Sequence, residues 1–118
     1  MEETLFTNSV QNLINQSAAL ANQYGHDTLK PLHTLGACLD NDFCVSFFNV
    51  FDMPITQLRS LVGQELEMLP KSFRGQLTAD KTLNSFLQDC KKEAEALGDQ
   101  YVSLEHLFLQ WLATKYLP

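Results

Sequence analysis

The segment YGHDTLKPLHTLGACL, residues 24 to 39, returns in altered form as LGDQYVSLEHLFLQWL at residues 97 to 112. This echo constrains the fold more than any other feature of the chain. A displacement of 73 residues pairs Gly25 with Gly98, His33 with His106, Ala21 with Ala94 and Leu39 with Leu112. It also sets Leu13 against Phe86, Ile14 against Leu87, Leu29 against Val102 and Leu35 against Phe108. Identities are few, but the pattern repeats. Each copy reads as a helix, a glycine-ended turn, an extended apolar residue and a second helix. Such a unit cannot bury its apolar stripe alone and needs its sister. The first copy runs on through two more helices while the second stops at Pro118, so the chain reads as one and a half repeats.

The signal between and within the copies is helical, because apolar residues recur at three and four positions and no long stretch alternates. Leu13, Ile14, Ser17, Ala18, Ala21 and Tyr24 form the first stripe, with Thr7 or Asn8 as its cap and Gly25 as its end. Pro31 suits a first helical turn, and Leu32, Leu35, Cys38 and Leu39 follow it on one face. A third helix is expected over Asp42 to Phe51. A fourth is expected from near Pro54 to Pro70, with Leu58, Leu61, Val62, Leu66 and Leu69 on one side. Asp80 or Thr82 would cap a fifth helix with Leu83, Phe86, Leu87, Cys90, Ala94 and Leu97 inward, ended by Gly98. Ser103 would cap a sixth with Leu107, Phe108, Trp111 and Leu112 on its buried face. The expected fold is all-α, one domain over 1–118: repeat one at 7–70, a linker at 71–79 and a partial repeat two at 80–118.

Composition excludes several functions. A formal charge of −6 and a pI near 4.8, with only eight Lys and Arg and no cluster of them, argue against a nucleic-acid surface. No apolar run approaches the roughly 18 residues of a membrane helix, and Glu2 and Glu3 stand where a secretory leader would be basic. The expected location is the cytoplasm. Cys38, Cys44 and Cys90 are odd in number and lie among apolar residues, as reduced core thiols would. GQLTADKT, residues 75 to 82, falls short of a phosphate loop, since Asp80 replaces the second glycine and the preceding residues read as helix and linker instead of strand. No C-x-x-C or H-x-x-x-H spacing marks a metal site, so no cofactor is expected. His33 and His106 fall in first helical turns, where the dipole favours a neutral ring. They read as packing and hydrogen-bonding residues, and Cys90 as an inward position of its helix, not half of a thiol–histidine pair.

A-x-x-A-x-x-x-G-H-x-x-(apolar)-x-P-x-H over Ala18 to His33, followed by GDQYVSLEHLFL from Gly98 to Leu109, resembles the Clp N-terminal domain. The second motif is most similar to the ClpB disaggregase branch. The resemblance implies an all-α domain of two four-helix repeats related by a pseudo-twofold, with its last two helices lacking here. It also implies a flexible mounting on a hexameric ATPase ring that threads aggregated chains. The domain itself would not be an enzyme: it would recruit unfolded or aggregated polypeptides, or adaptors in protease-coupled or secretion-coupled relatives. By the same resemblance Thr7, Asp99 and Glu105 engage substrate, with Leu87 as an apolar groove residue beside them. The local reading of the same residues is a cap, a turn closure, a dipole-favoured carboxylate and core. A rival from another class is a small helical enzyme using Cys90 or a histidine.

The truncated second copy carries a further expectation. Leu107, Phe108, Trp111, Leu112 and Tyr116 lack their own covering helices, so they would be covered by the first repeat or form an apolar patch through which the chain self-associates as a twofold dimer. From the GQLTADKT departure, calorimetric titration of the chain with ATP and magnesium should give no saturable heat.

Overall fold

The computed structural model of the protein describes residues 5–72 and 76–112. The elements run β1 (Leu5–Phe6), α1 (Asn8–Gln23), β2 (Thr28–Leu29), α2 (Pro31–Leu39), α3 (Asp42–Val50), α4 (Ile55–Met68), β3 (Thr78–Ala79), α5 (Lys81–Ala96), β4 (Tyr101–Val102) and α6 (Leu104–Leu112). Of the two candidate caps for α1, Thr7 does the work: its backbone is extended and its Oγ1 accepts the Val10 N–H at 3.2 Å. Gln11 reaches back to the Phe6 carbonyl at 3.0 Å, so a second exposed backbone group at this helix start is satisfied. Asp80 holds the position equivalent to Thr7 ahead of α5, but its carboxylate accepts the Thr82 hydroxyl and faces Lys30 Nζ at 3.5 Å.

The 73-residue repeat is reproduced in burial. Val10, Leu13, Ser17 and Ala21 are the buried positions of α1, and Leu83, Phe86, Cys90 and Ala94 are their counterparts in α5. Ser17 is tolerated there because its hydroxyl donates to the Leu13 carbonyl one turn back at 2.8 Å. Both helices end on a glycine in the left-handed region, Gly25 at φ 73° and Gly98 at φ 76°. From there the chain turns into the extended dipeptides β2 and β4.

Those dipeptides, and the two that precede α1 and α5, pair crosswise. β1 lies parallel to β4 with Leu5 opposite Tyr101 and Phe6 opposite Val102. β3 lies parallel to β2 with Thr78 opposite Thr28 and Ala79 opposite Leu29. Under the 73-residue shift the two ladders are the same ladder. Each repeat lends its leading strand to the inner strand of the other. The flanking bonds match as well: Thr7 N–H to Val102 O at 3.0 Å repeats as Asp80 N–H to Leu29 O at 2.9 Å. This is the pseudo-twofold. The stretch expected as a linker thus ends in a paired strand, and it is tied at its other end by the Ser72 N–H to Gly25 O bond of 2.7 Å.

Three expectations need correction. Leu61 and Leu97, placed on inward stripes, are 38% and 58% exposed, because each lies at the margin of its apolar arc and no neighbouring element closes over it. The supposed bare face of α6 is covered. Phe108 sits among Phe47, Phe48 and Phe51 at ring distances of 5.4, 4.9 and 5.5 Å. Trp111 stacks on Phe86 at 4.3 Å, and both Leu107 and Trp111 are fully buried. The cover comes from the first repeat, through α3 and its end. Dimerisation through this patch loses its basis for those three residues, while the Leu112 side chain and Tyr116 lie outside the described residues.

Gly98 and Gly63 separate the two uses of glycine. An alanine at Gly98 meets nothing within 4 Å yet is forced to a positive φ, so Gly98→Ala should lower unfolding stability by roughly 1 kcal/mol. At Gly63, inside α4 and equally uncrowded, alanine should raise it by roughly 0.5–1 kcal/mol through helix propensity alone. Urea unfolding of the two variants measures both.

Candidate binding surface and the histidine joints

The crosswise ladders decide which side chains meet. The β1–β4 pair carries the N-cap of α1 beside the start of α6, so Thr7 lies next to Val102 and Ser103 across the ladder. Glu105 follows two residues later in the first turn of α6 and is exposed. Asp99, half-exposed, precedes β4 and is anchored twice: its N–H donates to Ala94 O at 2.8 Å, and its Oδ2 accepts the His106 Nε2–H at 2.9 Å. Three of the sequence-derived candidates, Thr7, Asp99 and Glu105, therefore belong to the one β1–β4–α6 corner. Leu87 is half-buried against the core on α5, one turn before Lys91, whose ammonium lies 5.3 Å from the Phe6 ring centre. That turn of α5 faces β1. Leu5, Leu97 and Tyr101, at least half-exposed, add apolar surface to the neighbourhood. Sequence reading missed Leu5, Phe6, Lys91 and Tyr101, because a two-residue strand leaves no periodic trace.

Behind this corner each repeat holds a histidine in an N-terminal capping role. In α6 the backbone N–H of Ser103 donates to His106 Nδ1 at 2.8 Å. In α2 the backbone N–H of Lys30 donates to His33 Nδ1 at 2.9 Å. The imidazole at the fourth residue thus replaces the carboxylate of a capping box. An accepting Nδ1 fixes the proton on Nε2 in a neutral ring. His106 then gives that proton to Asp99. His33, fully buried, gives it to His26 Nδ1 at 2.8 Å, which leaves His26 also protonated on Nε2. Burial, reinforced by His26 and by the Lys30 charge, pushes the His33 pKa from 6.5 down to about 4.

The Cys90–His106 thiol pair does not form. The Cys90 thiol is buried, pushed up to about 12 by desolvation and by the charges of Asp89 and Glu93, and reaches the His106 carbonyl, not its ring. Cys38 and Cys44 are buried and free; their mutual hydrogen bond holds the Cys38 pKa well above the thiol range and lowers that of Cys44. Among the described residues no group of three metal-ligating side chains converges, and no helix is long and apolar enough to cross a membrane.

This architecture, two helical repeats locked by exchanged strands, is that of the N-terminal domains of Clp ATPases. The sequence profile of the Clp repeat (R) N-terminal domain matches residues 5–116, and the chain belongs to that family. Its relatives include the chaperone protein ClpB of Rhodopirellula baltica, 32% identical over an alignment of 106 residues that covers 87% of this chain and 12% of that protein. The chain therefore spans about an eighth of the length of the ClpB proteins it matches. Among solved structures, the Hsp104 N-terminal domain from Candida albicans superposes with a TM-score of 0.82 at 22% identity, over 92% of this chain and 73% of that one. The N-terminal domain of the ClpV1 ATPase from the E. coli Sci1 type VI secretion system gives 0.83 at 19% identity, over 96% and 71%.

The low pKa of His33 sets a pH dependence. Above 6.5 the ring is neutral in both folded and unfolded chains, and its contribution is fully present. Between 6.5 and about 4 the unfolded chain takes up a proton that the folded chain refuses, so stability falls as the pH falls; below about 4 this contribution is exhausted. The span corresponds to about 3 kcal/mol. Denaturant titrations from pH 7 to pH 4 should show that decline, and His33→Gln should flatten the slope while lowering stability at pH 7.

Proposed function

We propose that this chain is the substrate-recruiting N-terminal domain of a ClpB-type, ATP-dependent disaggregase of the cytoplasm. It binds unfolded or aggregated polypeptides, does no catalysis itself, and is carried by a hexameric ATPase ring. The observation that carries the reading is the β1–β4–α6 corner. Thr7, Asp99 and Glu105 present a hydroxyl and two carboxylates beside the exposed Leu5 and Tyr101, with Leu87 on the adjacent turn of α5. An extended polypeptide without fixed structure offers apolar side chains and backbone donors to such a surface. The limited apolar area implies micromolar or weaker binding, which suits a site that must hand its cargo on. The ClpB names borne by relatives across nearly the whole chain support this branch. A second reading, an adaptor- or partner-binding domain of a protease-coupled or secretion-coupled Clp ATPase, is favoured by the ClpV1 likeness.

Thr7→Ala, Asp99→Ala and Glu105→Ala test the corner. Each should weaken binding of fluorescently labelled unfolded casein several-fold in anisotropy titrations, Glu105→Ala doing so beyond what the small loss of its helix-dipole stabilisation explains. Thr7→Ala should in addition lose about 1 kcal/mol as a broken cap. Variants that melt earlier yet bind casein unchanged would reduce the three residues to local structure. Nanomolar binding of one folded partner, with no affinity for casein, would favour the adaptor reading.

A further inference from the structure

Two helical glycines, Gly36 on α2 and Gly63 on α4, border one slot between α1, α2 and α4. Packing explains the first. A Cβ at Gly36 would stand 2.7 Å from Leu20 Cδ2, so the bare backbone lets the α1 side chain lie close on α2. Packing does not explain the second, since a Cβ at Gly63 meets nothing within 4 Å and glycine weakens a helix interior. The slot is a cavity of about 160 Å³ with Leu20, Tyr24, Leu39, Val62 and Leu66 in its wall. Leu39, Val62 and Leu66 are buried, and Tyr24 is held by stacking on His26 with ring centres 5.6 Å apart. The remaining wall residues are polar and exposed: Asp40, which ends α2, and Arg59, one turn before Gly63. Arg59 grips the Leu39 carbonyl with Nε at 3.2 Å and Nη2 at 2.6 Å. That grip fixes the plane of the guanidinium and leaves the donors of its opposite edge unused by Leu39.

We propose that this slot is a second polypeptide-docking point, where an extended segment inserts one aliphatic side chain and lays the adjoining peptide groups on Arg59 and Asp40. Size selects a single side chain. A hollow of roughly 150 Å³ lined by aliphatic groups holds one benzene-sized body, far less than the face of a helix. The rim selects a neutral backbone. A carboxylate entering the slot would meet Asp40 and the negative end of the α2 dipole, and an ammonium would meet Arg59, so neither charge is favoured. A peptide group carries both a donor and an acceptor without net charge. In extended conformation a residue directs its own N–H and C=O to the same edge of the strand, so one residue serves both rim groups. Its carbonyl accepts from the outer edge of the Arg59 fork, and its N–H donates to the Asp40 carboxylate. The slot lies in the first repeat, shares no residue with the β1–β4–α6 corner and stands whether or not that corner holds polypeptide.

Nitrogen–proton spectra of the full chain read the slot through its glycine amides, of which the sequence holds only five. Gly36 and Gly63 border the slot, and Gly98 adjoins Asp99 at the corner. The blocked peptide acetyl-Gly-Ser-Leu-Ser-Gly-amide should shift Gly36 and Gly63 saturably at millimolar concentration. Alanine in place of its leucine should weaken the effect roughly ten-fold or more, through the apolar area no longer buried. N-methylation of the leucine, which removes the donor to Asp40 and keeps the side chain, should weaken it several-fold. Gly63→Leu puts a side chain on the cavity wall without crowding a neighbour, so it should keep the circular dichroism spectrum and abolish the shift at Gly36. If that variant does not fold, Asp40→Lys, an exposed change, should weaken the peptide several-fold with both glycines in place to report. No saturable shift, an equal response to the alanine or N-methyl peptide, or an undiminished response in a folded variant overturns the proposal. So do shifts confined to Gly98, which would put the peptide at the corner alone, and tighter binding of acetyl-leucine with its free carboxylate, which would make the slot an anion site.

Discussion

The exchanged strands are the constraint on which the rest depends. Two parallel ladders of two residues each are too short to be stable by themselves. Yet they fix the only relative placement of the repeats in which Leu5 meets Tyr101 and Thr78 meets Thr28 together. The stripe of α1, insufficient alone, then closes on α2, and that of α5 on α6 and α2, within one core. Because every ladder joins the leading strand of one repeat to the inner strand of the other, neither half can complete its backbone hydrogen bonds without its sister. Cooperativity between the repeats is built into the backbone as well as into the core.

The same exchange makes two corners from four chain segments, and the corners have diverged. At one, Thr7, Ser103, Asp99 and Glu105 gather around the start of α6, with the carboxylates turned partly to solvent. At the other, Asp80 and Lys30 replace Thr7 and Ser103 and face each other, and His26 and Leu32 replace Asp99 and Glu105. The first corner is acidic and open; the second is occupied by its own ion pair above a buried histidine chain. Pseudo-symmetry preserved the backbone while the side chains took different tasks. That is why the proposed polypeptide-binding surface belongs to one corner and the paired histidines to the other.

Much of this was legible in the sequence. The helix count, the cap at Thr7, the terminating glycines and most inward positions follow from periodicity and local chemistry, which act over a few residues and leave a regular trace. Leu61 and Leu97 misled because periodicity defines an arc and not its edges, and only the neighbouring elements decide which edge position is covered. The ladders were invisible, since two residues cannot alternate. The fate of α6 was invisible for another reason: Phe47, Phe48 and Phe51 could be read as an apolar group on α3, but nothing along the chain said that they would reach across to Phe108.

By itself, then, the sequence determined the repeat, the helices within it and the membership of His33 and His106 in equivalent helix starts, because each of these is set by residues close together in the chain. Tertiary structure alone decided that the repeats exchange strands, that α3 shelters α6, and that Asp99 accepts from His106 while His33 meets a second histidine, His26, in its place. Those outcomes rest on contacts between residues some 70 positions apart in the ladders and on which donors find an acceptor once everything else is packed. No local pattern encodes either.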